Sequence, residues 1–495
     1  MSGKIGFDHN KYIRTQSEQI ARRISEFGGK LYLEFGGKLF DDYHASRVLP
    51  GFQPDSKLKM LLNLKEQAEI VIVISAEALE KNKVRGDLGI TYDLDVLRLI
   101  DAFRSVELFV GSVVLTHYSG QAQAVQFENK LNNLGVKVYR HYPIAGYPYD
   151  VQHIVSDEGY GKNEYIETSR SLIVVTAPGP GSGKMATCLS QLYHDNKRGI
   201  KAGYAKFETF PIWNLPLKHP VNIAYEAATA DLNDVNMIDP FHLDAYGETT
   251  VNYNRDVEIF PVLNNIFEQI YGSSPYKSPT DMGVNMAGFC IYDDEAVCAA
   301  ANMEIVRRAL TAEVDRRLDK VGEEVVTKTK LLMKQSGLDY SFRPVVAAAI
   351  KKAEETNAPA AAIETADGTI VTGKTSSLLG ASAAMLLNVL KVLAGIRDDV
   401  MLLSPAVIEP IQNLKTKHLG NNNPRLHTDE ILIALSICAV TAPTAALAMQ
   451  QLPKLRGLEM HSSVILSQVD ANVIKKLGIN LTSEPRYQSK KLYHR

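Results

Sequence analysis

Cysteine is scarce in this chain: Cys188, Cys290, Cys298 and Cys438 are the only four in 495 residues, and no two form a C-x-x-C pair. That sparseness excludes a disulfide-stapled scaffold and a paired-cysteine zinc framework, and it predicts reduced thiols in a cytoplasmic setting. An excess of one charge is also missing. Lysine and arginine total 54 against 56 acidic residues, a formal net charge of −2. With no basic run longer than a few residues, there is no electrostatic footprint for nucleic acid or an anionic membrane, and neither is expected as a partner. No apolar run reaches the roughly 18 residues of a membrane span. The opening stretch "MSGKIGFDHNKYIRTQSEQ" lacks the apolar core of a signal peptide.

What remains is an ordinary globular composition, 45% apolar and 22% charged. The length exceeds what one core supports, so several domains are expected. "AEIVIVIS" and "SLIVVTAP" are continuous apolar runs of the kind buried parallel strands show, and helical patterns alternate with them. The fold class expected is α/β and multi-domain, built on a mostly parallel, doubly wound sheet. The divisions expected are an α/β region at 1–165 and a P-loop-like α/β region at 166–290 that packs on it or shares its sheet. A helical region at 291–345 and a smaller α/β domain at 346–495 follow. In the helical region Val314, Leu318, Val321 and Val325 read as one apolar stripe, by which these helices pack on each other or form a homo-oligomer face. Further on, "AAAIETADGTIVTG" reads as a hairpin turning at Asp367-Gly368.

The richest motif is "VVTAPGPGSGKMATCLSQLY", a strand, three glycines in five positions, a lysine and a helix. Backbone N–H groups at a helix start are unpaired and carry partial positive charge, which suits a phosphate. Gly179, Gly181 and Gly183 let the backbone curl around an anion, and Ser182, Lys184 and Thr187 complete the candidate cradle. The fit to G-x-x-x-x-G-K-[ST] is incomplete. Pro178 stands at the first glycine position and Met185 replaces the magnesium-binding hydroxyl. A plain glycine-rich turn is the competing reading.

With the following "RGIKAGYAKFETF" and "NMIDPFH", the loop resembles the P-loop synthetases, in particular the amide-ligase domain of CTP synthase. That resemblance implies Lys184 on phosphate and magnesium on acids after the next strand, with Glu208, Asp231, Asp234 and Asp239 as candidates. Arg255 is a candidate for transition-state charge and Asp256 for metal binding, with a structural ion pair as the alternative. "EFGGKLFDDYHASR" gathers Glu34, Lys38, Asp41, Asp42, His44 and Arg47 after a strand. His44 and Arg47 are a candidate grip on an anionic substrate, with a surface loop stitched by local ion pairs as the alternative. In "LHTDE", Thr428 is a plausible helix N-cap.

The hairpin and helix after residue 360 resemble the opening of a cytidine-deaminase-type fold, but the helix starts "GASAAM", so the zinc ligands are absent. The phrases "FGGKLFDDYHASRVLPGF", "TAPGPGSGKMATCLSQLYHD" and "LHTDEILIALS" resemble a bacterial family known only as domain of unknown function family 1846, or uncharacterised protein family 371. The resemblance spans essentially the whole chain and implies organisation and a bacterial cytoplasmic source, with no mechanism. The expected activity is an ATP-dependent ligase or phosphotransferase using magnesium on a small or phosphorylated metabolite. The alternatives are a phosphate-binding module without turnover and an oligomeric structural protein. No zinc, haem or flavin is expected.

Overall fold

The computed structural model describes residues 4–36, 39–40, 42–85 and 88–488. Two compact units emerge: 6–226 with 234–298, and 1–5 with 227–233 and 299–495.

The first unit is organised by β1 (Leu31–Phe35), β2 (Ala68–Ser75), β3 (Phe109–Thr116), β4 (Lys137–Arg140), β5 (Leu172–Thr176), β6 (Gly203–Phe207) and β7 (Gly283–Val284). Hydrogen bonding orders them β7-β6-β1-β5-β2-β3-β4, and every neighbouring pair is parallel. Every residue of β1, β2 and β5 is buried, which a sheet covered on both faces requires and a half-exposed alternating strand would not allow.

Five helices of this unit matter here: α1 (His9–Glu26), α2 (Tyr43–Val48), α3 (Tyr92–Ser105), α4 (Lys184–Lys197) and α5 (Asn254–Tyr271). Cys188, Leu189 and Leu192 of α4 and Phe260, Leu263 and Phe267 of α5 join Tyr32, Val71, Ile173 and Val175 in one core. α1 is pinned to the edge strand β7 by a buried side chain: Gln16 donates to the Val284 carbonyl at 2.7 Å and accepts from Met286 N at 2.8 Å.

The connections out of β1 and β5 set the position of any site. The chain leaves β1, passes β5 and enters β2; it leaves β5, passes β1 and enters β6. Right-handed crossovers running in opposite directions lie on opposite faces of the sheet. The carboxyl ends of β1 and β5 therefore diverge, opening a crevice where such sheets bind ligands.

The helical region is not one continuous stripe. α6 (Asp294–Arg317) and α7 (Glu323–Gln335) are separated by a turn in which Asp319 takes φ 54°, so Val314 and Leu318 are out of register with Val321 and Val325. Gly322 and the local Asp-Lys turn chemistry end the helix before the apolar spacing does.

The second unit carries α8 (Pro344–Thr356) and a four-stranded mixed sheet of β8 (Ala360–Glu364), β9 (Ile370–Lys374), β10 (Glu459–Ser462) and β11 (Asn480–Ser483). The order is β9-β8-β10-β11, with β8 antiparallel to both neighbours and β10 parallel to β11. The β8–β9 hairpin turns at Asp367-Gly368, where Gly368 takes φ 85°. Helix α9 (Thr428–Cys438) is capped by His427, not Thr428, through a reciprocal pair with Glu430. His427 also meets Asp470 at 3.0 Å.

A charge cluster lies against this sheet. Arg343, with no exposed side-chain surface, pairs with Glu459 and donates to the Met460 carbonyl at 3.1 Å and to Thr482 Oγ1 at 3.0 Å. Arg307 reaches the same Glu459 at 2.8 Å. Burial alone would raise the Glu459 pKa, but the two guanidinium groups outweigh it and hold the carboxyl below its ordinary value. Removing the carboxylate strands a buried cation, so Glu459→Ala is expected to cost about 3–5 kcal/mol in urea unfolding at neutral pH. A lowered carboxyl pKa stabilises at high pH and loses that effect as pH falls through it. The gap between wild type and variant should therefore narrow in acid and stay constant from pH 6 to 8.

Candidate active site

At the end of β5 the chain turns through residues 177–183 before α4 begins at Lys184. Two glycines in the turn are left-handed, Gly181 at φ 74° and Gly183 at φ 85°, which L side chains rarely adopt. The turn is held from within and from β3: Ser182 Oγ donates to the Gly179 carbonyl, and Thr116 Oγ1 donates to the Ser182 carbonyl, both at 2.8 Å. A Cβ on Gly179 would stand 2.2 Å from the Tyr92 hydroxyl at the start of α3.

The N–H groups of Gly181, Gly183, Lys184, Met185 and Ala186 donate to no acceptor among the described residues; the first helical bond is Thr187 N to the Gly183 carbonyl. Thr187 Oγ1 is buried without a hydrogen-bond partner among the described residues. The turn thus leaves a run of backbone donors unpaired at the start of α4, with Lys184 as its first helical residue, at the carboxyl end of β5 beside β1.

Beside it stands Glu34, paired in register with Val175 of β5 and Lys206 of β6. Tyr204 donates to Glu34 Oε2 at 2.6 Å. Lys206 bridges two more acids, Glu208 at 2.7 Å and Asp256 in the first turn of α5, and lies 5.7 Å from the centroid of the Tyr253 ring. Burial would lower the Lys206 pKa; Asp256, Glu208 and Glu34 together raise it, so the ammonium stays charged. Glu208 is pushed up to about 7 by burial and by the Asp256 charge, with Lys206 opposing. The Cys188 thiol below is raised by burial and by Glu34, while Lys184 pulls the other way.

His44 of α2 sits among aromatic rings, 5.2 Å from Phe210 and 5.5 Å from Tyr225, which stack on each other. Asp42 caps α2 through Ala45 N and pairs with Lys57 at 2.7 Å. Arg47 lies in the last turn of α2, and two further members of that sequence cluster, Lys38 and Asp41, lie outside the described residues.

The remaining acids are dispersed. Asp234 is buried and takes Arg255 in a two-pronged pair at 2.6 and 2.9 Å. Asp239 is a helix cap: one oxygen accepts from Phe241 N and His242 N, the other from Thr280 N and Oγ1. Asp231 is exposed, in the short turn Ala230–Leu232, and belongs to the other unit. Of the acids named from sequence for metal binding, Glu208 and Asp256 are brought together, on Lys206, and Asp231, Asp234 and Asp239 are not. Lys206, Tyr204, Thr116 and Tyr92 were not singled out. The alternation in "AKFE" puts Lys206 and Glu208 on one side of an extended chain and was the available signal. Nothing local marked Thr116 or Tyr92.

Family comparison places the whole chain. Residues 5–337 match the model described as domain of unknown function DUF1846, N-terminal, and 341–493 match its C-terminal counterpart. The chain is 59% identical over 492 residues to "UPF0371 protein" of Streptococcus pneumoniae serotype 19F (strain G54), covering 99% of this chain and 100% of that one. To "UPF0371 protein SpyM50764" of Streptococcus pyogenes serotype M5 (strain Manfredo) it is 58% identical over 491 residues, 99% of each. The chain belongs to this DUF1846 (UPF0371) family, whose descriptions state no activity. Among the described residues no helix is long and apolar enough to cross a membrane.

Gly183→Ala would force a left-handed alanine whose Cβ meets Thr116 at 3.1 Å. We expect it to lower unfolding stability by about 1–2 kcal/mol in urea titration. The raised Glu208 value has its own signature: the folded state holds that proton more tightly, so stability falls as pH rises from the ordinary carboxyl value toward 7. Glu208→Gln should flatten this fall between pH 4.5 and 7. Equal slopes for variant and wild type would show that Glu208 is ionised throughout.

Proposed function

We propose that the glycine turn binds the phosphates of a small-molecule ligand and that the protein is a nucleotide-dependent ligase or phosphotransferase acting on a small metabolite. The observation that carries this reading is the row of unpaired N–H donors from Gly181 to Ala186 at the crevice of a parallel sheet. Polar backbone left unpaired is costly unless water or a ligand satisfies it, and the partial positive charge of a helix start favours an anion. Lys184 adds a full positive charge at the same place.

In this reading the phosphates lie over Gly179, Gly181, Ser182, Gly183 and Lys184. Met185 offers no hydroxyl to magnesium, so an ATP-bound cation would take its protein ligands from Glu208 and Asp256, the two acids that share Lys206. Asp239 stays with its helix cap and Asp234 with Arg255. The acceptor enters from the β1 side, past Glu34 and the aromatic setting of His44. A second reading, binding without turnover, is favoured by Met185, because phosphoryl transfer depends on a well-held cation.

Thermal unfolding with nucleotides and phosphorylated metabolites, with and without Mg²⁺, separates these readings. A ligand at a hundred times its Kd adds about 2.7 kcal/mol of stability. ATP is expected to raise the Tm, more so with magnesium, and Lys184→Ala to abolish the rise. A rise with a phosphometabolite alone would assign the turn to a non-nucleotide ligand. No rise with any phosphate would reduce the motif to a turn.

A further inference from the structure

Away from the glycine turn, three side chains of different donor chemistry meet at one point in the first unit: His219, Asp294 and Cys298. His219 Nε2 is 3.0 Å from Asp294 Oδ1 and 3.5 Å from Cys298 Sγ, and that sulfur is 3.7 Å from Asp294 Oδ2. Asp294 and Cys298 are one helical turn apart at the start of α6, so they project side by side. His219 comes from the turn before the helix Pro220–Ala228, its own N–H held by the Pro216 carbonyl at 2.9 Å.

The geometry points to a divalent transition-metal site, with zinc its best-fitting occupant. A tetrahedral zinc ion with ordinary bond lengths separates its donors by about 3.3 Å for nitrogen and oxygen, and by about 3.5 Å where sulfur is one of the pair. The three observed separations sit around those values, within a small turn of the Asp294 carboxylate. Imidazole, thiolate and carboxylate together are a zinc-type donor set, and three protein ligands leave a fourth position for water or a bound molecule.

A cysteine nucleophile with a histidine base is the competing reading, and the geometry opposes it. In such a relay the histidine uses one ring nitrogen for the thiol and the other for the orienting acid. Here the acid and the thiol converge on the same nitrogen. The other ring nitrogen, Nδ1, faces Val221 N–H at 3.3 Å, beyond ordinary hydrogen-bond length. Metal on Nε2 puts the ring proton on Nδ1 and gives up that contact. This site is separate from the acids beside the glycine turn and stands whether or not the turn binds phosphate. It also revises the expectation of no zinc, which rested on missing cysteine pairs.

The full-length chain, stripped with chelator and dialysed, is titrated with Zn²⁺ by calorimetry and with Co²⁺ by absorbance. We expect about one Zn²⁺ per chain and a thiolate-to-cobalt charge-transfer band. Cys298→Ser should remove the band, and Asp294→Asn should weaken zinc binding by more than about 100-fold, beyond what outer-shell changes cost. Both positions are at least partly exposed, so the variants should fold; circular dichroism in chelator checks this. The site is overturned if the wild type binds no stoichiometric zinc, or if folded variants bind it as well as the wild type does.

Discussion

Burial of both faces of the seven-stranded parallel sheet is the constraint from which the rest follows. Strands such as β2 and β5 have no residue in water, so polar chemistry is confined to the strand ends and the loops leaving them. Opposed crossovers out of β1 and β5 part those loops at one place. There Gly181 and Gly183 turn the backbone left-handed and α4 begins with its donors unpaired. Side chains at these positions would meet strain or Thr116, so the donors stay open because the glycines are there.

The electrostatics of the crevice are a contest between desolvation and pairing. Lys206 wins because three acids surround it. Glu208 does not, because its one cation is shared with Asp256 and Glu34. A buried carboxyl pushed up to about 7 at the carboxyl end of a parallel sheet is the kind of perturbation that gathers at working sites. The contrast with Glu459 is instructive. Two guanidinium groups on one carboxyl outweigh burial there, and the group stays ionised as part of the second unit's framework.

Much of the local structure was legible because its causes are local. The run "AEIVIVIS", the strand-turn-helix of "VVTAPGPGSGKM" and the Asp367-Gly368 hairpin each follow from propensity and backbone freedom over a few residues. Local causes also produced the misses. The apolar spacing from Val314 to Val325 continues across a turn that ends the helix. Thr428 is a good cap by composition, but His427 has Asp470 to brace it from a distant helix. Asp234 and Asp239 were plausible metal ligands until Arg255, Thr280 and two backbone donors came to occupy their oxygens.

By itself the sequence determined the α/β class, the parallel character of the large sheet and the glycine turn between strand and helix. These depend on hydrophobic period and on which residues tolerate positive φ, both properties of short segments. Tertiary structure alone decided which acids stand beside that turn, that Lys206 ties Glu208 to Asp256, and that His219 meets Cys298 across 79 positions of chain. Such pairings depend on strand order and register, which bring remote segments together through packing and leave no periodic trace in the residues themselves.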